Sequence, residues 1–202
     1  MKYLILLLIA IISGCSNVEV HSDVGNETVV DRIKKERKEK HKYMSSSKSP
    51  LPKGETSDFI ALNYFPIDTA YSINSFFQLV VNGPIFEMRT NTDRQPAYQK
   101  YGMLIFELNN QLDTLWAYKS MEQQGNELFI PFTDLTNGNE TYYSGRFIDI
   151  EVPEGDSVLL DFNSCYNPYC AYNEKYSCPI PPLENHLNTA ILAGEKKYRN
   201  DH

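Results

Sequence analysis

The sequence predicts an all-β domain, an antiparallel barrel or sandwich of about nine strands, preceded by one basic N-terminal helix. Three observations carry that expectation. Beyond Glu55 the chain is a series of short apolar or alternating runs rich in Phe, Tyr, Ile and Val, residues that suit a pleated, half-buried surface. No helical run separates them, which disfavours a parallel α/β sheet. Ahead of them lies one segment of good helix formers without Pro or Gly, residues 27–44.

The chain begins with an address. Lys2 supplies a positive start, and residues 3–12 form an uninterrupted apolar run. A membrane-spanning helix needs about 20 such residues, so this run is expected to be the core of a signal peptide spanning residues 1–14. Ile12-Ser13-Gly14-Cys15 resembles the bacterial lipobox, an aliphatic residue and two small residues before a cysteine whose thiol takes the lipid. Two or three acyl chains on Cys15, at about 0.8 kcal/mol per buried CH₂, would hold the protein at a membrane. Ser16 follows the cysteine where Asp does not, which points to the outer membrane of a bacterial cell envelope. Residues 15–26 are polar and read as a flexible tether.

Residues 27–54 form the helix and its linker. Between Arg32 and Lys42 seven Lys or Arg stand against Glu36 and Glu39, while from Thr56 onward nine basic residues face nineteen acidic ones. The cationic helix is therefore expected to lie on anionic headgroups, to dock on its own acidic domain, or to remain a solvated spacer. Asp31 with Lys35 and Glu36 with Lys40 are spaced four apart in the favourable order. Residues 45–52 (SSSKSPLP) end the helix with turn chemistry and proline. The formal charge of −7 argues against a nucleic-acid partner, which needs a cationic face.

Within the β domain, residues 55–202, strands are expected at 59–65, 71–81, 85–89, 101–108, 112–118, 127–132, 146–152, 157–162 and 189–192. Ile148, Ile150 and Val152 alternate with Asp149 and Glu151, the pattern of a strand with one buried face. Asn109-Asn110 between Leu108 and Gln111 is a hairpin-grade turn, as is Pro153-Glu154-Gly155.

The C-terminal half carries a dense signature. It opens with Phe132-Thr133-Asp134-Leu135-Thr136-Asn137-Gly138-Asn139-Glu140-Thr141-Tyr142 and Gly145-Arg146. It continues through Asp161-Phe162-Asn163, Tyr166-Asn167-Pro168-Tyr169-Cys170-Ala171-Tyr172, Cys178-Pro179-Ile180-Pro181-Pro182 and Glu184-Asn185, and closes with Ala193-Gly194-Glu195-Lys196. From about residue 49 to 198 the chain resembles the bacterial family filed as domain of unknown function 1684. That resemblance implies a shared fold and a shared site, with no assigned activity. Cys165 and Phe147 depart from the pattern, which has a small residue and a tyrosine there.

Residues 163–187 hold four Pro, four Tyr and three Cys, with no Gly and no regular period. Such segments within a domain are usually functional or pinned covalently. The favoured pin is a disulfide between Cys170 and Cys178, since an exported protein meets an oxidising compartment. The rival is a metal site using Cys165, Cys170, Cys178 and His186, at a spacing wider than structural zinc hooks.

Arg146 is the one Lys or Arg between Lys119 and Lys175. It reads either as the hub of a buried ion pair with Asp134 or Asp161, or as a clamp for an anionic ligand. A ligand site for a small polar or anionic molecule would draw on Asp134, Thr136, Glu140, Tyr142, Arg146, Asp161, Asn163, Tyr166, Asn167, Asn185 and Glu195. Asparagine and tyrosine in this number suit a sugar or an amide. Two other readings stand beside it. Paired carboxylates (Asp134, Glu140, Asp161) could serve a hydrolase or transferase, or the signature could lock the fold of a structural envelope protein. His186 is the one histidine of the β domain ahead of the terminal His202, and neither GxGxxG nor GxxxxGK[ST] occurs, so triad and nucleotide-loop chemistry lack support.

Overall fold

The computed structural model describes residues 27–198, so the signal peptide, Cys15 and the tether lie outside the described residues. Helix α1, Val29–Met44, is followed by β1 (Ser72–Leu79), β2 (Ile85–Glu87), β3 (Ala97–Leu108), β4 (Gln111–Ser120), β5 (Glu127–Phe132), β6 (Arg146–Glu151) and β7 (Ser157–Asp161). Short 3₁₀ turns occupy Thr56–Asp58, Thr69–Tyr71, Phe162–Ser164, Tyr169–Ala171 and Leu183–Asn185.

All strand pairings are antiparallel, in the order β6-β5-β4-β3-β1-β7, with β2 beside the start of β3. The sheet curls into a half-barrel, and no ladder joins β6 to β7 among the described residues. Its concave face holds the main core, including Phe77, Leu104, Phe106, Leu115, Leu128, Ile130, Ile148 and Leu160. The β3–β4 hairpin turns on Asn109 and Asn110, both at positive φ, a two-residue turn whose twist matches the strands.

Seven strands form among the described residues, where about nine are expected. Residues 59–65 run extended beside 193–196 with only local bonds, Phe65 N–H to Gly194 O and Lys196 N–H to Asn63 O. Leu62 and Phe59 from this stretch pack beneath α1 rather than in the sheet. Residues 189–192 make no ladder because side chains hold their backbone. Arg146 Nη2 donates to Ile191 O, and Ile191 N–H donates to Asp134 Oδ1.

Helix α1 starts at an N-cap, where Thr28 Oγ1 accepts from Asp31 N–H at 3.1 Å. Of the alternatives for this helix, docking on its own domain is the one found. Ile33 and Met44 are fully buried, each worth roughly 1.5–3 kcal/mol. Arg32 pairs with Asp161 at the end of β7, and Glu36 accepts from Ser164 at 2.6 Å. Arg37 stacks over Tyr64 at 4.3 Å while donating to Phe65 O, and Lys40 reaches Glu195 at 2.8 Å. Lys34, Lys35, Lys38 and Lys42 stay exposed on the other side.

Candidate functional site

Most of the signature folds inward. Arg146 is 0% exposed, and its guanidinium donates to Asp134 Oδ2 at 2.9 Å, to Ile191 O at 2.9 Å and to Ala193 O. The other Asp134 oxygen accepts from Thr136 N–H and Thr136 Oγ1, and Asn137 holds the same turn through Tyr142 O. Thr136 and Thr141 hydroxyls meet at 2.8 Å. This is the ion-pair hub rather than the ligand clamp, because no solvent path reaches the guanidinium.

The signature glycines serve this hub. Gly145, at φ +98°, sits where a Cβ would lie 2.5 Å from Phe132 O, and Gly194, at φ +75°, where one would lie 2.3 Å from Cys165 Sγ. Only glycine lets the backbone approach that closely in the left-handed region.

A second buried group gathers on Glu195, itself 0% exposed. Asn167 Nδ2 donates to it at 3.0 Å, Lys40 pairs with it, and the Tyr172 hydroxyl bonds to it. Burial, with the Glu195 charge beside it, pushes the Tyr172 phenol well above its ordinary value. Asn185 staples two strands, accepting from Trp116 N–H and donating to Trp116 O and Pro131 O. Asn163 closes the β7 turn by bonding both backbone groups of Asp68, and donates to Asp161.

The expected carboxylate pairing does not occur. Asp134 is locked on Arg146, Asp161 is held by Arg32 and Asn163, and Glu140 is exposed on the turn after Gly138. The four-residue metal set separates as well. Cys165 lies in the main core against Ala193 O, with burial pushing its thiol up to about 11, while His186 bonds Thr133 Oγ1 at 2.9 Å. Among the described residues no group of three or more His, Cys, Asp or Glu is placed to hold a metal ion. Cys170 and Cys178, the expected disulfide pair, lie side by side as thiols.

The concavity lies on the other face of the sheet. A cleft of about 740 Å³ opens between the convex side of β5 and β6, the C-terminal half of α1 and the loop from Tyr166 to Pro179. Its floor is a row of aromatic rings, with centroids 5.5 Å apart from Tyr98 to Phe129, 4.7 Å from Phe129 to Phe147 and 5.9 Å from Phe147 to Tyr166. Strand pairing builds this row, since Tyr118 faces Phe129 and Phe129 faces Asp149 in register. Tyr169 and Tyr176 meet at a tilt, centroids 5.2 Å apart, to form one wall, and the Tyr43 hydroxyl meets that of Tyr169 at 3.1 Å.

Polar groups converge on the floor. Tyr166 donates its hydroxyl to Asp149 Oδ2, and Lys40 Nζ lies 4.7 Å from the Tyr166 ring centroid. Partial desolvation raises the Asp149 pKa; the Tyr166 hydrogen bond opposes this, Glu127 adds to the rise and Lys40 works against it. Arg94, Lys119, Ser120 and Gln123 stand at the rim. Of the expected ligand residues, only Tyr166 faces this cleft. Asp149, Phe129, Phe147, Tyr98 and Lys119 were not expected. The signal for them is that Phe129 and Phe147 occupy the outward-facing positions of strands whose alternate residues fill the core, where polar residues are the rule.

Residues 57–196 match the family described as a protein of unknown function, DUF1684. The chain belongs to this family. An uncharacterised protein of Haloarcula marismortui, solved by NMR in solution, is similar to this DUF1684 chain with a TM-score of 0.66 and 34% sequence identity. That similarity covers 82% of this chain and 92% of the other. No curated protein matches the sequence. The signature shared by the DUF1684 pattern thus corresponds to the inner lattice and to the loop that walls the cleft. Among the described residues no helix is long and apolar enough to cross a membrane.

Proposed function

We propose that this DUF1684 domain is a binding module of the cell envelope, held by lipid on Cys15 at the outer membrane, that takes a small polar ring such as a sugar in the aromatic cleft. The single observation behind this reading is the continuous row Tyr98–Phe129–Phe147–Tyr166 ending at a hydrogen-bonded carboxylate, Asp149. Aromatic faces accept the C–H side of a sugar ring, and a few fixed polar groups orient its hydroxyls. A volume of about 740 Å³ suits one to three rings. Arg94 at the rim pairs with Glu122 and the Lys119 ammonium lies over the Tyr101 ring, so orientation of a polar ring in the cleft rests on Asp149 and the Tyr166 hydroxyl.

Supporting the anchor are the apolar run 3–12 and the lipobox-like Ile12-Ser13-Gly14-Cys15. Growth with labelled palmitate, comparing wild type with Cys15→Ser, tests it; loss of label in the variant is the expected result. For the cleft, calorimetric titration with neutral oligosaccharides and with uronic acids is the test. Saturable binding to either set, weakened at least tenfold in both Tyr169→Ala and Asp149→Ala, is expected. Absence of heat with both sets at millimolar concentration, or binding indifferent to both variants, would end this reading.

A further inference from the structure

The loop 163–187 carries a second chemical feature, independent of what the cleft binds. Cys170 and Cys178 are neighbours in space, and Cys170 N–H donates to Cys178 Sγ at 3.0 Å. The Tyr142 hydroxyl points at Cys170 Sγ from 3.7 Å. Both side chains sit with Tyr142 and Ala171 in a small cluster apart from the main core. Cys170 lines a pocket of about 310 Å³ together with Tyr143 and Glu174, whereas Cys178 lines the aromatic cleft on the other side. The pair therefore stands, buried, in the partition between two openings.

We propose that Cys170 and Cys178 are a reversible dithiol–disulfide couple built into the partition between the cleft and this smaller pocket. With Cys178 Sγ 3.0 Å from the Cys170 amide nitrogen and both side chains in one small cluster, the pair is close enough for an S–S bond, which needs Cβ atoms about 4 Å apart. The two thiols are also unlike. Donation from the Cys178 thiol draws the Cys170 pKa down against its burial, with Tyr142 assisting, and Cys178 is pushed up in turn. Cys170, which accepts from the Tyr142 hydroxyl at 3.7 Å and lines the smaller pocket, is the attacking sulfur and Cys178 the resolving one.

The oxidising equivalent comes from a disulfide, either of low molecular weight or of a protein oxidant. The Cys170 thiolate attacks one of its sulfurs, breaking that S–S bond and expelling a thiolate. Cys178 gives up its proton and attacks Cys170 Sγ in the mixed disulfide, expelling the second thiolate. Two electrons pass from the cysteine pair to the oxidant, which leaves as two thiols carrying the two protons.

Closure ties together what the ring 170–178 already touches. Asn173 donates to Pro50 O in the linker after α1, Asn91 donates to Tyr176 O, and Cys178 N–H donates to Asn91 Oδ1. The bond would therefore stiffen the wall of the cleft against two other segments.

The test is to equilibrate the full chain in glutathione buffers from fully reduced to fully oxidised, quench with acid, alkylate, and map the peptides by mass. Expected is a Cys170–Cys178 peptide lighter by two hydrogens and free of alkylation in oxidised buffer, reverting in reduced glutathione. Cys178→Ser should instead trap glutathione on Cys170, and Cys170→Ser should leave Cys178 unmodified. Thiols that alkylate at every ratio, pairing of either cysteine with Cys165, or a bond that reduced glutathione never reopens would each overturn the proposal.

Discussion

Arg146 and Asp149 lie on the same strand, and the pleat sends them to opposite faces. Arg146 enters the concave side, fully buried, with Asp134 and the Ile191 and Ala193 carbonyls against its guanidinium. Asp149 emerges on the convex side beneath α1, with one hydroxyl bonded to it and an opening beside it. The first environment is costly to disturb and does nothing to a solute; the second tolerates change and can act on one. Motif density therefore marks the inner lattice, whereas the surface fit for binding is marked by out-of-place aromatic rings.

The largest effect should come from Arg146→Ala, which strands Asp134 in the interior and costs about 3–5 kcal/mol. Urea unfolding reads this, and a loss under about 1 kcal/mol would mean that the lattice is not structural. Asn185→Ala comes next, at about 2–3 kcal/mol, since it leaves the backbone of Trp116 and Pro131 unpaired. Lys40→Met removes the cation facing buried Glu195 and should cost about 2 kcal/mol, with the added sign of a helix more open to proteolysis.

On the convex side the effects shrink. A raised carboxyl pKa means that the native state holds the Asp149 proton more tightly than the unfolded chain. Stability from this group is complete at low pH and falls as pH rises from the ordinary carboxylate value of 3.8 through the raised one. Asp149→Asn should therefore stabilise slightly at neutral pH, well under about 1 kcal/mol because solvent in the cleft screens the charge. That gain should vanish as the pH drops, which parallel melts at two pH values would show. Tyr169→Ala, at an exposed ring, should move stability by no more than about 0.5 kcal/mol while weakening ligand binding.

Alternation made the strands legible in the sequence. The 146–152 run declares its inner face through Ile148 and Ile150, and the two-residue Asn109-Asn110 turn declares its hairpin. Residues 59–65 and 189–192 mislead because their apolar content serves a helix seat and an arginine cage, and neither use leaves a period-two trace. The hub of Arg146 and Asp134 was readable as one of two alternatives, since an isolated arginine among acids has few other uses. Which side of the sheet would hold the cleft was not readable. That depends on α1 folding back onto the end of β7, the loop that follows it and Glu195, a long-range placement with no local signal beyond charge.

The docked helix also sets an order in time. Its contacts join residues separated by 129, 128 and 155 positions, the last being Lys40 with Glu195. A chain emerging from its amino end forms α1 first and must carry it unseated until nearly every residue is out. The side bearing Ile33 and Met44 has no seat throughout that interval. The cleft, having α1 as one side, is the last part of the molecule to come into existence.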